Sequence, residues 1–546
     1  MPSAHTTPVA EVEQWTRTTL VLASARPHAH PGTDVTLDAL FTGPDGATLA
    51  LPGFWDGGNT WKVRFAPTQI GRWTYRITCS DPADRGLHDV TGTLRCRPYA
   101  GSLAIYRHGF LRVADDRRHF AHADGTPFFW LGDTHWQMPD CERLDACNCP
   151  GCGCGSQFRH LAADRLRKGF TVYQTYPDSA MNDAGGNPRR ARWWTEPYAH
   201  LDPQPFRDLF DPMMDYLADH GLVIALGAGV HHLSSRMGRD ALVRFTRHLV
   251  ARYAAYPVVW FTGQEVDIER ETPHSLEHWR AAAETIAQGD GYHHPLSVHM
   301  DSTGEPKTFA DRPWHSWFAT QSGHKPRGIR SAAHYRSYWD YEPARPFVET
   351  EAMYEHVSCE QQPATTRDTR VAAWNALLCG AAGVWALKWA PEQPGWDPYN
   401  GKIPWHEGMV LPGSTQMAHM RRFFEELPWF RLVPRWHDPA WGAFQVPDQT
   451  ALATDGDAVW VAYFFHDGTA TGELRNLDSH GTYLAQWFDP RTGARQRIAG
   501  AVTPGAQRYT IPPKPDHQDW VLLLTRRGCP INYGSRITHH APHCSK

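Results

Sequence analysis

Two acids stand at the ends of short β-rich runs, Glu265 after Val258–Phe261 and Glu351 after Pro346–Val348. A facing pair of carboxylates can cut an acetal. One, protonated, gives its proton to the leaving oxygen, and the other, ionised, acts at the anomeric carbon. With retention of configuration the pair stands roughly 5–5.5 Å apart. A single loop glutamate is ordinarily a solvated surface charge. Two acids at matching positions form a pattern that surface charge does not require. A second cluster is Cys141, Cys147, Cys149, Cys152 and Cys154, with Gly and Pro between them. Short Gly-rich turns let thiolates converge, so a structural zinc is one reading. Unligated thiols, or a disulfide pair in an exported protein, are the other. A catalytic zinc is not expected, because such sites usually include His or a carboxylate.

The elements that must position these groups follow from pattern. From about Arg107, apolar runs alternate with helical segments. The runs are Phe128–Leu131, Thr171–Thr175, Val223–Leu226, Val258–Phe261, Leu296–His299, His315–Phe318, Pro346–Val348 and Gly383–Leu387. Helices are predicted through Leu161–Lys168, Phe206–Asp219, Ala241–Tyr253, Leu276–Ala287, Ala332–Trp339, Arg367–Leu378 and Ser414–Glu426. Eight strands with intervening helices predict a (β/α)8 barrel over residues 105–432, with its chemistry at the C-terminal strand ends. Those ends carry Asp133, His135, Trp136, His231, His232, Gln264, His299, Trp317, Gln321, Tyr354 and Trp389. All but Gln321 are taken as substrate-binding candidates. The plainer reading makes Asp133 a loop cap, the histidines structural hydrogen-bonders and the tryptophans rim packing.

Either side of the barrel the chain reads as β. Residues 1–100 hold short strands separated by turn clusters such as Gly43-Pro44-Asp45-Gly46, which predicts a small sandwich of immunoglobulin type. Residues 433–527 predict a second β-sandwich, and 528–546 a polar tail. The fold class is therefore multidomain, α/β plus β.

The 24 tryptophans fit flat half-exposed faces on which sugar rings stack, or large aromatic cores. A net charge of −4 without a basic stripe argues against nucleic acid. No secretory leader or run of 18 apolar residues is visible, so neither export nor a membrane partner is expected. Eleven cysteines then fit a reduced, cytoplasmic setting.

Three stretches resemble the apiosidase-like glycoside hydrolases. Thr126-Pro127-Phe128-Phe129-Trp130-Leu131-Gly132-Asp133-Thr134-His135-Trp136 is similar to their opening strand. Trp260-Phe261-Thr262-Gly263-Gln264-Glu265 is similar to their strand-four motif, W-x-x-G-G-D. Glu351-Ala352-Met353-Tyr354-Glu355 is similar to their strand-seven E-x-x-Y-E motif. The resemblance covers roughly residues 105–430. Gly71-Arg72-Trp73-Thr74-Tyr75 also resembles a strand of the immunoglobulin-like domains that precede some glycosidase barrels. The resemblance implies a retaining enzyme without a catalytic cofactor, acting on an oligosaccharide, with Glu265 as acid/base and Glu351 as nucleophile. This chain has Glu after Gln where the family has Asp after Gly. The two-carboxylate mechanism survives that change, but apiose specificity does not follow from it. Two other classes stay open on the residues alone. One is a metal-dependent amidohydrolase, suggested by His299 and His315. The other is a non-catalytic carbohydrate-binding protein.

Overall fold

The computed structural model describes residues 10–528 except 137, 148–150, 152, 154, 178–192, 197, 269–273, 302–306, 324–331, 357, 360–361, 389–404, 499, 501, 503 and 505. Its centre is one parallel eight-stranded sheet. The strands are β1 (Trp130–Thr134), β2 (Val172–Thr175), β3 (Val223–Leu226), β4 (Val258–Phe261), β5 (Leu296–Ser297), β6 (Phe318–Gln321), β7 (Phe347–Glu351) and β8 (Gly383–Lys388). Their order is β5-β4-β3-β2-β1-β8-β7-β6. A parallel bridge between His299 and Ala319 links the two outer strands and closes the barrel. The helices are α1 (Gln157–Arg167), α2 (Asp211–Asp219), α3 (Leu233–Tyr253), α4 (Ser275–Gly289), α5 (Ala332–Trp339), α6 (Thr366–Leu378) and α7 (Pro412–Glu425). No described helix is long and apolar enough to cross a membrane.

The runs predicted for β3 and β4 coincide with the strands found. β6 does not: it starts at Phe318, not His315. The aromatic run Trp314–Phe318 reads as a strand, yet Trp317 packs on Trp130 (5.5 Å between ring centres) and Phe120 (5.9 Å). Trp130 opens β1, and Phe120 belongs to a three-stranded antiparallel sheet, Leu111–Val113, Phe120–His122 and Pro127–Phe128. These aromatics close the N-terminal end of the barrel, opposite the end where strands deliver chemistry. Trp317 is therefore a plug residue and not a substrate contact.

Before the barrel, a five-stranded sheet (Ala10–Glu13, Leu37–Thr42, Thr48–Pro52, Gly71–Cys79, Val90–Arg97) faces a three-stranded one (Thr18–Ala23, Phe54–Trp55, Thr60–Phe65). Phe41 and Phe65 stack between the sheets with ring centres 3.9 Å apart. After the barrel, a six-stranded antiparallel sheet is backed by a three-stranded one. Its strand Val459–Phe464 is buried on both faces. Strict alternation divides the work. Val459, Val461 and Tyr463 pack with Trp374 of α6 and Phe423 and Phe424 of α7. Trp460, Ala462 and Phe464 fill the space between the two sheets. An apolar strand without a polar face is what joining two cores requires.

Buried ion networks fix both flanking units to the barrel. Asp211 accepts from Arg64 Nη2 at 2.7 Å, Arg252 Nη1 at 2.6 Å and the Tyr253 hydroxyl at 2.7 Å. Arg252 also pairs with Asp56, so residues of the N-terminal sheets and the helices α2 and α3 share one network. On the other side, Arg370 of α6 makes a two-pronged contact with Asp519, through Nε at 2.7 Å and Nη2 at 2.5 Å.

Candidate active site

Glu265 follows β4 on a backbone turned into the left-handed region, φ 52°. A non-glycine residue there costs on the order of 1 kcal/mol and persists only where its surroundings impose it. Here they do. Gln264 N–H donates to the Gly229 carbonyl at 2.8 Å, and Val266 N–H to the His299 carbonyl at 3.2 Å. The turn is thus held between the chain leaving β3 and the chain leaving β5. Gly263 has to be glycine, since a Cβ there would stand 2.6 Å from the Trp279 ring and 2.9 Å from the Gly229 carbonyl. The half-buried Glu265 side chain accepts from Gln321 Nε2, at the end of β6, at 3.2 Å.

Glu351 is the last residue of β7, not a loop residue beyond it. Alternation alone would face it outward with Phe347 and Glu349. Phe347 stacks on Tyr335 of α5, and Glu349 accepts from the Tyr335 hydroxyl (3.0 Å) and Ser322 Oγ (2.7 Å). A bulge reverses the last residue. Thr320 pairs with Glu349, but Gln321 pairs with Glu351, which leaves Thr350 as the extra residue. Thr350 Oγ1 donates to the Thr320 carbonyl at 2.9 Å and pins the bulge. Glu351 is left only 2% exposed, with Oε2 3.4 Å from His299 Nε2. Tyr354 is buried nearby. Burial and the charge of Glu351 push its phenol well above 10.

Other candidates gather around the two acids. Gln264 Oε1 accepts from the Tyr176 hydroxyl at 3.0 Å. Tyr176 stacks on Trp136, and Trp136 meets His299 edge-on at 5.2 Å. His231 and His232 are half-buried, rings perpendicular at 4.7 Å, where α3 begins. Asp133 and His135 lie deeper, at 0% and 1% exposure. Asp133 is bound by Arg165 and by His135 Nε2 (3.3 Å), and His135 Nδ1 meets Glu142 at 2.5 Å. Burial opposes ionising Asp133, but Arg165 and His135 outweigh it and hold the carboxyl below its ordinary range. Burial also opposes charging His135, but Glu142 and Asp133 raise it. These contacts account for both side chains as a charged layer supporting the mouth. Glu355 is likewise occupied, accepting from Gly413 N–H at the start of α7 at 3.1 Å.

Trp389, Cys149, Cys152, Cys154 and the side chain of Cys141 lie outside the described residues. Cys147 is half-buried against Leu161, Trp405 and Met409. Among the described residues no group of three or more His, Cys, Asp or Glu is placed to hold a metal ion. Gln321 is the residue that sequence reasoning left without a role. A strand placed three residues early hid its position opposite Glu351.

A parallel barrel with one glutamate on the turn after its fourth strand and another ending its seventh has the layout of a barrel glycoside hydrolase. Residues 114–431 match the profile "Apiosidase-like, catalytic domain". The chain belongs to that family and is a glycoside hydrolase, which decides against the amidohydrolase and non-catalytic readings. Residues 11–80 match a domain of unknown function, and residues 435–525 a "Putative collagen-binding domain of a collagenase". The fold is similar to that of a "putative glycoside hydrolase" from Bacteroides vulgatus, with TM-score 0.74 and 17% identity, covering 95% of this chain and 100% of that one. A glycoside hydrolase family 5 structure from the same species gives TM-score 0.62 and 18% identity, covering 77% of this chain and 94% of that one. A further glycoside hydrolase structure gives TM-score 0.62 and 21% identity, covering 77% and 97%. No curated protein sequence matches the chain.

Proposed function

We propose that this enzyme cleaves a glycosidic bond in a plant- or microbe-derived oligosaccharide by double displacement with retention. Residues 105–432 form the catalytic unit between two β-sandwiches, the first of immunoglobulin type. Glu351 attacks the anomeric carbon, and Glu265 protonates the leaving oxygen and then deprotonates water. The observation that supports this most is Gln321, which hydrogen-bonds Glu265 and stands in register with Glu351. A residue whose side chain meets one acid and whose backbone pairs with the other suits the close spacing of a retaining pair. Glu351 is buried, with Oε2 3.4 Å from His299 Nε2, and Glu265 is partly open to solvent. Trp136, His231, His232, Gln264, His299 and Tyr354 are assigned to the sugar in the mouth, and Trp389 by its sequence position.

Incubation with a panel of plant and bacterial oligosaccharides tests this reading, with proton NMR of the first product formed. The anomer of the substrate is expected. First appearance of the opposite anomer would exclude the double displacement.

The spacing of the five cysteines supports one structural zinc, held by four thiolates. Protein purified without chelator is then expected to carry about one equivalent by elemental analysis. Less than about a tenth of an equivalent would rule the zinc out.

A further inference from the structure

We propose that Gln321 is a positioning residue whose amide serves Glu265 in both protonation states, donating from Nε2 to the carboxylate and accepting at Oε1 from the acid. This rests on the reading of Glu265 as acid/base.

An acid/base must be held both before and after it gives up its proton, and the charge-assisted bond to its carboxylate is the stronger of the two. A lysine or arginine partner only donates and would favour the carboxylate; an ionised carboxylate partner only accepts and would favour the acid. A side-chain amide carries both functions and exchanges them by rotating about its last bond. Gln321 is 5% exposed at the end of a barrel strand, with Nε2 3.2 Å from Glu265 Oε1. Its backbone is also the register partner of Glu351 at the β7 bulge. One residue therefore ties the turn that carries the proton donor to the strand that carries the nucleophile. Other ionisable groups stand at this end of the barrel on β7 and the chain after it (Glu351, Tyr354), on the chain after β5 (His299, Asp301), and on Glu265's own turn (Asp267). Among the described residues, His231 and His232 after β3 and Tyr176 after β2 also stand at these strand ends. All of them stay unchanged in the test.

The test compares kcat/KM against pH for the wild type, Gln321→Met and Gln321→Glu, using the phenyl glycoside of the sugar identified in the panel. Methionine keeps the length of glutamine without its hydrogen bonds. The carboxylate then loses a charge-assisted donor, Glu265 holds its proton more readily, and the alkaline limb moves to higher pH. The loosened acid is expected to lower kcat about tenfold. In Gln321→Glu two acids share the site and cannot both ionise, so the limb rises further, by more than about one pH unit. Melting curves identify the folded variants, and Gln321→Met decides alone if the glutamate variant does not fold. An alkaline limb identical to wild type in the folded variants, with azide still rescuing Glu265→Ala, would overturn the role of Gln321 alone. If azide fails to rescue Glu265→Ala, the acid/base reading falls, and this proposal with it.

Discussion

Glu351→Ala is expected to remove turnover on every substrate, by about 10⁴-fold or more, while Glu265→Ala retains activity where the leaving group is very acidic. The difference follows from the steps that the proposed double displacement gives each residue. Without the Glu351 carboxylate no glycosyl–enzyme bond forms, and no leaving group supplies that bond. Glu265 matters in the first step only as far as the departing oxygen needs a proton. An activated aryl oxide leaves without one. The second step still needs a base to deprotonate water, so Glu265→Ala accumulates the intermediate and releases product slowly. Azide attacks the intermediate without a base and restores the rate, giving a glycosyl azide that chromatography detects. The reverse pattern, with azide rescue in Glu351→Ala, would exchange the two roles. Equal and modest losses in both variants would remove them from the chemistry.

Asp211→Ala should lose about 3–5 kcal/mol of stability, read as a melting temperature lower by several degrees. The carboxylate sits between Arg64 and Arg252, and its removal leaves two buried guanidiniums close together with only Asp56, on the Arg252 side, to offset them. Burial alone would raise the pKa of Asp211, but the two arginines outweigh it and bring the pKa down to about 2. A carboxyl depressed below its unfolded value of about 3.9 stabilises the fold fully above that value. The contribution fades as pH falls toward about 2. Wild-type melting temperature should therefore decline through this window more steeply than that of Asp211→Ala. Melting curves that coincide at neutral pH would show that this network does not hold the N-terminal sheets to the barrel.

The sequence by itself determined the eight-strand alternation, the flanking β units and the two acids. Each depends on local pattern. Val258–Phe261 is a buried strand because every residue in it is apolar, and a barrel strand delivers whatever follows it to the mouth. Tertiary structure decided which way side chains point. Glu351 lies on the same alternation face as Glu349, and only the extra residue Thr350 in the β6–β7 register turns it inward. Trp317 reads as a barrel-mouth aromatic until the true start of β6 puts it under the barrel with Trp130 and Phe120. Asp133 resembles a sugar ligand by motif, but Arg165, 32 residues further along the chain, already binds it. Register, bulges and long-range ion pairs arise from contacts between distant segments. A periodicity read along one segment therefore carries no trace of them.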